Sequence, residues 1–120
     1  MAEEVSMDIT MEANAAVVAF KSASITDVDG IAIASEKIKG FIDENQPNRL
    51  IFDFEKVKFF SSQVLGLLLD IRHKLQPYNG KVIVSAINPQ LHRVFKITNL
   101  DKVFKFFPDR ESAIETMNTD

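Results

Sequence analysis

The 120-residue chain has no cysteine, which excludes disulfides, thiolate catalysis, zinc–thiolate sites and iron–sulfur clusters together. The absence is compatible with a reducing cytosol. Glycine is scarce: Gly30, Gly40, Gly66 and Gly80 are the only four, and none is spaced as a dinucleotide fingerprint. There is no glycine-rich phosphate loop and no Gly-x-Ser-x-Gly elbow, so no nucleotide or other cofactor is signalled. An excess of positive charge is also missing. The formal net charge of −3 argues against nucleic acid or an anionic membrane surface as the main partner, since both require a basic field. The longest strongly apolar stretch, Val64 to Leu69, contains Gly66 and falls far short of the roughly 20 residues that span a bilayer. Met1-Ala2-Glu3-Glu4-Val5 begins with acids and lacks the basic segment and apolar run of a signal peptide. A cytoplasmic, membrane-free protein is expected.

What is present suits a globular domain. Hydrophobic residues make up 46% and charged residues 26%, enough apolar material for a core that needs no covalent staples. A chain of this length is read as one domain, 1–120, with flexibility confined to its ends.

Met7, Ile9 and Met11 alternate with Asp8 and Thr10, the period-2 pattern of a half-buried strand, and Glu12 to Ala15 can turn the chain into a second strand, Ala16 to Phe20. From Thr26, a plausible N-cap, the period lengthens. Val28, Ile31, Ala34, Ile38, Phe41 and Ile42 recur at three- and four-residue steps and predict a helix. Asn45-Gln46-Pro47-Asn48 ends it, and Leu50 to Phe54 is a near-continuous apolar run expected of a central strand covered on both faces. A second helical stripe contains Val64, Leu68, Ile71 and Leu75, widened by Leu65 and Leu69. Pro77-Tyr78-Asn79-Gly80 turns into a buried strand, Lys81 to Ala86. Asn88-Pro89 reads as an N-cap followed by proline at the first helical position, opening a short helix with Leu91, Val94 and Phe95. Asn99 stops it. Val103 to Phe107 reads as a last strand, and Pro108-Asp109 opens a terminal helix with Ala113, Ile114 and Met117 inward. The fold class is therefore α/β: a mixed sheet opened by a hairpin, with parallel right-handed crossovers and about four α-helices.

Convergent reactive groups are hard to find. His73 and His92 lie on different predicted helices with no partner at metal-ligand spacing, so they read as solvated helix residues and no metal site is assigned. Asp53 and Glu55 flank a strand end, where carboxylates serve acid/base or magnesium chemistry in some α/β sheets; the plainer reading is a strand-end residue and a solvated loop residue. Asp70, Arg72 and Lys74 read as the wet face of the second helix, and Lys96, Lys102, Lys105 and Arg110 as a mild basic excess for partner contact or plain surface. The pairs Phe59-Phe60 and Phe106-Phe107 cannot both point inward from one extended strand. The second ring of each either packs under a helix or loop or marks an interaction site. No catalytic residue is assigned.

Phe59-Phe60-Ser61-Ser62-Gln63-Val64-Leu65-Gly66 places two hydroxyls at the start of an apolar helix. A serine there can cap the first turn, an effect of roughly 0.5–2 kcal/mol. An added phosphate at the same place would meet unpaired amides and the positive end of the helix dipole. Both readings stand on the residues alone.

The segment Val57 to Leu69 resembles the STAS-domain signature of anti-sigma factor antagonists: an apolar strand end, Asp-Ser-Ser/Thr-Gly-Leu-Gly, and a Leu-rich helix. Asn79-Gly80-Lys81-Val82-Ile83-Val84 is similar to the family's glycine-initiated strand, and Asn88 to Leu100 to its Asn/Ser-Pro helix. Val103 to Pro108 with Ala113 fits the family's last strand and helix. The resemblance covers residues 50–117 by motif and the first 45 by pattern. It implies a regulatory binding module, not an enzyme, that docks an anti-sigma factor or serine-kinase-like protein and is switched by serine phosphorylation. By position the phosphorylated residue is Ser62, and the implied partner surface is Ser61, Ser62, Gln63 and Val64. Ser61 stands where the family usually has aspartate, and Gln63 and Val64 replace Ser/Thr and glycine. A scaffold or oligomerising subunit that is never phosphorylated is the alternative.

Overall fold

The computed structural model describes residues 5–118 and builds the expected α/β architecture. Strands β1 (Met7–Glu12) and β2 (Ala15–Phe20) pair antiparallel across a two-residue turn, in which Ala13 and Asn14 both have positive φ (51° and 70°). Two positive φ values at the turn centre match its twist to that of the flanking strands. A short β3 (Ser24–Ile25) precedes α1 (Val28–Asn45), and β4 (Arg49–Asp53) follows. Then come β5 (Phe59–Phe60), α2 (Ser62–Leu75), β6 (Lys81–Ser85), α3 (Pro89–Ile97), β7 (Lys105–Phe107) and α4 (Arg110–Asn118). The main sheet has the order β1-β2-β4-β6-β7, parallel from β2 onward, so β4 is central as its apolar run predicts.

Alternation along the strands divides the core into two layers. Val18, Phe20, Leu50, Phe52, Val82 and Val84 face α1, α2 and α3. Val17, Ile51 and Ile83 face Ala113 of α4, the one helix on the opposite side among the described residues. Ile31, Ala34, Ile38 and Ile42 of α1 and Val64, Leu68, Ile71 and Leu75 of α2 are buried, as their helical spacing requires. Phe52, Phe54, Phe60 and Phe95 form a chain of rings with centroids 5.7–6.4 Å apart, within the 4.5–7 Å range of favourable aromatic pairs. Burying one such side chain contributes roughly 1.5–3 kcal/mol. Gly80 is required by space: a Cβ there would lie 2.8 Å from the Cβ of Leu75.

Three expectations need correction. The N-cap of α1 is Asp27, not Thr26; its carboxylate accepts the Gly30 N–H at 2.7 Å. The last strand begins at Lys105 rather than Val103, because Asn99 turns left-handed (φ 62°) into a 3₁₀ turn over Leu100–Lys102. The β3–β5 ribbon was not expected at all. Ala113 is inward as expected and Ile114 packs beside it, while the Met117 side chain lies outside the described residues.

Candidate functional site

The serine segment is held from two sides. Ser24–Ile25 and Phe59–Phe60 pair in parallel, and the Ser61 N–H extends the ladder by donating to the Ile25 carbonyl at 3.0 Å. From the other side Asn88 Nδ2 donates to the Val57 and Lys58 carbonyls at 3.3 and 3.4 Å. The same Asn88 caps α3 by accepting the Leu91 N–H. Leaving this clamp, the chain enters α2 with Ser61 as an extended N-cap and Ser62 as the first helical residue.

The two hydroxyls part company here. Ser61 Oγ is buried and has no hydrogen-bond partner, and it does not cap the helix. Ser62, one residue on, is exposed. The first turn of α2 contains no acid, so its free amides and positive dipole end face outward uncompensated. Gln63 is also exposed, but Val64 is buried at 1%. Val64 therefore belongs to the core and must be removed from the expected contact residues. Helical spacing explains this: Val64 begins the inward stripe that continues to Leu68 and Ile71.

Gln63 also lines a groove of about 650 Å³ between α1 and α2. Val28, Ala32, Gly66 and Leu69 contribute to its apolar surface, and Glu36, Lys39 and Asp70 stand at its rim. A hydrogen bond from Lys39 to Asp70 outweighs desolvation and, with the charges of Asp70 and Glu36, holds the Lys39 ammonium above its ordinary pKa. Phe59 is 56% exposed while Phe60 is buried, so this pair splits between solvent and core. Phe106 and Phe107 split differently: each is half-buried, against the two opposite core layers.

Of the two carboxylates expected at the strand end, Glu55 is exposed and Asp53 is structural. Asp53 is almost fully buried and accepts from Arg110 Nε and Nη2 at 3.0 and 2.8 Å, and from the Glu55 N–H at 3.1 Å. Arg110 Nη1 reaches Glu12 at 3.2 Å. Burial acts to lower the Arg110 pKa, but the hydrogen bond and charge of Asp53, with Glu12 behind them, raise it overall. Arg110 thus leaves the expected basic surface set and fastens α4 to the sheet. Sequence reading had both residues in view but no local signal linking positions 57 apart. His73 is exposed and His92 packs against Phe106, and no cluster of metal-ligating side chains occurs among the described residues. No helix of the described residues is long and apolar enough to cross a membrane.

The STAS-domain family model matches residues 10–113, and the chain belongs to that family. A STAS-domain containing protein of Pseudomonas aeruginosa is 25% identical over 59 residues, 49% of this chain and 58% of that relative. The chain's match thus spans little more than half of that curated relative. Among solved structures, the anti-sigma factor antagonist SpoIIAA in its unphosphorylated form superposes with a TM-score of 0.84 at 21% identity, covering 96% of this chain and 98% of that one. The phosphorylated form of SpoIIAA, described as a Bacillus cell fate determinant, superposes with a TM-score of 0.73 at 22% identity, covering 93% and 99%. These likenesses bear out the STAS-like fold read from the motif segments.

Proposed function

We propose that this chain is a regulatory protein-binding module of the anti-sigma factor antagonist type, docking a serine-kinase-like or anti-sigma partner over Ser62 and Gln63 and switched by phosphorylation of Ser62. One observation carries the choice of residue: Ser62 is exposed at the first position of α2, whereas the adjacent Ser61 hydroxyl is buried. A kinase can reach the first without unfolding the N-cap and cannot reach the second. SpoIIAA, similar in fold, has been solved both unphosphorylated and phosphorylated, which supports a switch of this class.

The physical consequence is a change of surface, not of fold. A phosphate brings about −1.5 to −2 charge, and on Ser62 it can accept from first-turn amides while facing solvent. The helix survives, and an apolar or acidic partner face is repelled. With the cognate kinase, Ser62→Ala abolishes phosphate incorporation and keeps partner binding, and Ser62→Asp weakens binding with unchanged circular dichroism. Ser61→Ala is the control. It leaves incorporation intact and does not destabilise the fold, because the lost hydroxyl had no partner and its burial is a cost of about 1–3 kcal/mol that alanine removes. Phosphate mapped to Ser61 by mass spectrometry refutes the residue assignment. If neither serine is modified and Ser62→Asp binds like wild type, the switch is refuted. The exposed Phe59 ring then favours the second reading, a scaffold that binds without phosphorylation.

A further inference from the structure

Among the described residues the most exposed large hydrophobic side chain is on α3, not in the serine segment. Ile97, the last residue of α3, is 74% exposed. α3 returns the chain from the C-terminal end of β6 to the start of β7, so Ile97 sits at the foot of the helix layer, the end opposite the start of α2. Arg93, Lys96, Lys102 and Lys105 surround this stretch of chain, all exposed and without an ion pair among the described residues, against one acid, Asp101. In a chain of net charge −3, the segment from Arg93 to Lys105 thus carries unpaired positive charge on both sides of one exposed aliphatic side chain.

The α1–α2 groove is its physical complement. Gly66 lines it with no side chain, and an added Cβ there would meet no atom within 4 Å, so the lining is open at that point. Val28 and Leu69, both partly exposed, form apolar walls. At the rim the acids Glu36 and Asp70 share the single lysine Lys39, and Asp29 is exposed beside Val28, so the groove's surroundings are net negative. An apolar recess with a negative rim and an apolar knob with a positive collar are present on one chain, at opposite ends of its helix layer. They cannot meet within a molecule.

We infer that the occupant of the groove is a second copy of this chain, which inserts Ile97 over Gly66 and sets Lys96 and Lys102 against Glu36 and Asp70. The contact is heterologous: knob of one copy into groove of the next, giving dimers and then longer chains or rings as concentration rises. Because its apolar part is small and its charges are exposed, it is weak and salt-sensitive. Gln63 lines the groove, so a copy seated there also shields the neighbourhood of Ser62.

Sedimentation of the full chain from about 10 μM to about 1 mM, the range expected of small transient interfaces, tests this directly. The wild type shows a weight-average mass that rises with concentration and falls back when salt is raised. Ile97→Glu removes the knob and Gly66→Leu fills the open lining; each alone stays monomeric. Gly66→Leu also exchanges the weakest ordinary helix former for a strong one, so its loss of association cannot come from unfolding, and thermal melts verify this. Mixed one to one, the two variants regain association but stop at dimers, since Ile97→Glu still offers a groove and Gly66→Leu still offers a knob. A wild type that remains monomeric throughout overturns the inference and leaves both patches to other proteins. So does association that either variant retains, or a mixture that does not pair. None of these readouts involves phosphate, so they stand or fall apart from the Ser62 switch.

Discussion

Replacing Arg110 by methionine keeps the aliphatic stem but strips Asp53 of two of its three hydrogen bonds, leaving only the Glu55 N–H at 3.1 Å. The Asp53 side chain is 4% exposed and that of Arg110 is 33%, so the pair lies between two regimes. Breaking a fully buried pair costs about 3–5 kcal/mol, whereas a surface pair contributes about 0–1 kcal/mol. The orphaned group is the buried carboxylate, which pushes the cost upward. The adjoining cavity of about 380 Å³, lined also by Asp8, Thr10 and Lys21, admits water to it and pulls the cost down. A loss of about 2–3 kcal/mol follows. Asp53→Asn retains an acceptor and leaves Arg110 its contact with Glu12, so about 1 kcal/mol is expected. In the double variant the two losses add to less than their sum by about 1 kcal/mol, because each single change already breaks the shared bonds. Urea unfolding followed by circular dichroism measures all three. With a slope of about 1–3 kcal/mol per molar, Arg110→Met lowers the midpoint by about 0.7–3 M. A shift below about 0.3 M, or strict additivity, refutes the claim that this pair fastens α4 to the sheet.

Two further outcomes follow from capping groups. Asn88→Ala removes the α3 cap and the tether to the Val57 and Lys58 carbonyls, costing about 1–2 kcal/mol; hydrogen exchange at residues 57–61 should rise more than elsewhere, and a uniform rise contradicts the clamp. Asp109 accepts the Ser112 N–H at 2.7 Å, and that bond, with one from the Ser112 side chain, lowers its carboxyl pKa. Its folded pKa lies below the unfolded value, so its contribution is complete above the unfolded value and is lost as pH falls through the folded one. The stability gap between wild type and Asp109→Asn is therefore widest near neutrality and closes in acid; a gap independent of pH refutes the assignment.

What could be read from sequence was what repeats or caps locally. The stripe from Ile31 to Ile42 and the Asn88-Pro89 cap lie where periodicity and capping chemistry put them. The β3–β5 ribbon left no trace because two residues have no period, and its pairing joins positions 35 apart. Thr26 and Asp27 are both competent caps, and only the geometry of the entering chain selects the carboxylate. Lys105 and Arg110 look alike in sequence, yet one remains on the surface and the other is drawn to a buried aspartate from a distant strand.

The serine pair shows how fine the remaining ambiguity is. Nothing in the residue types distinguishes Ser61 from Ser62, since either hydroxyl can cap a helix or accept a phosphate. The distinction comes from the ribbon and the Asn88 tether, which fix where the extended chain ends and the helix begins. An N-cap residue and the one after it project differently, so where that boundary falls decides that Ser61 Oγ is buried and Ser62 is exposed. The same boundary turns Val64 inward and leaves Gly66 open above the groove. Which of the two hydroxyls faces solvent is therefore decided by long-range contacts made before α2 starts, not by the motif itself.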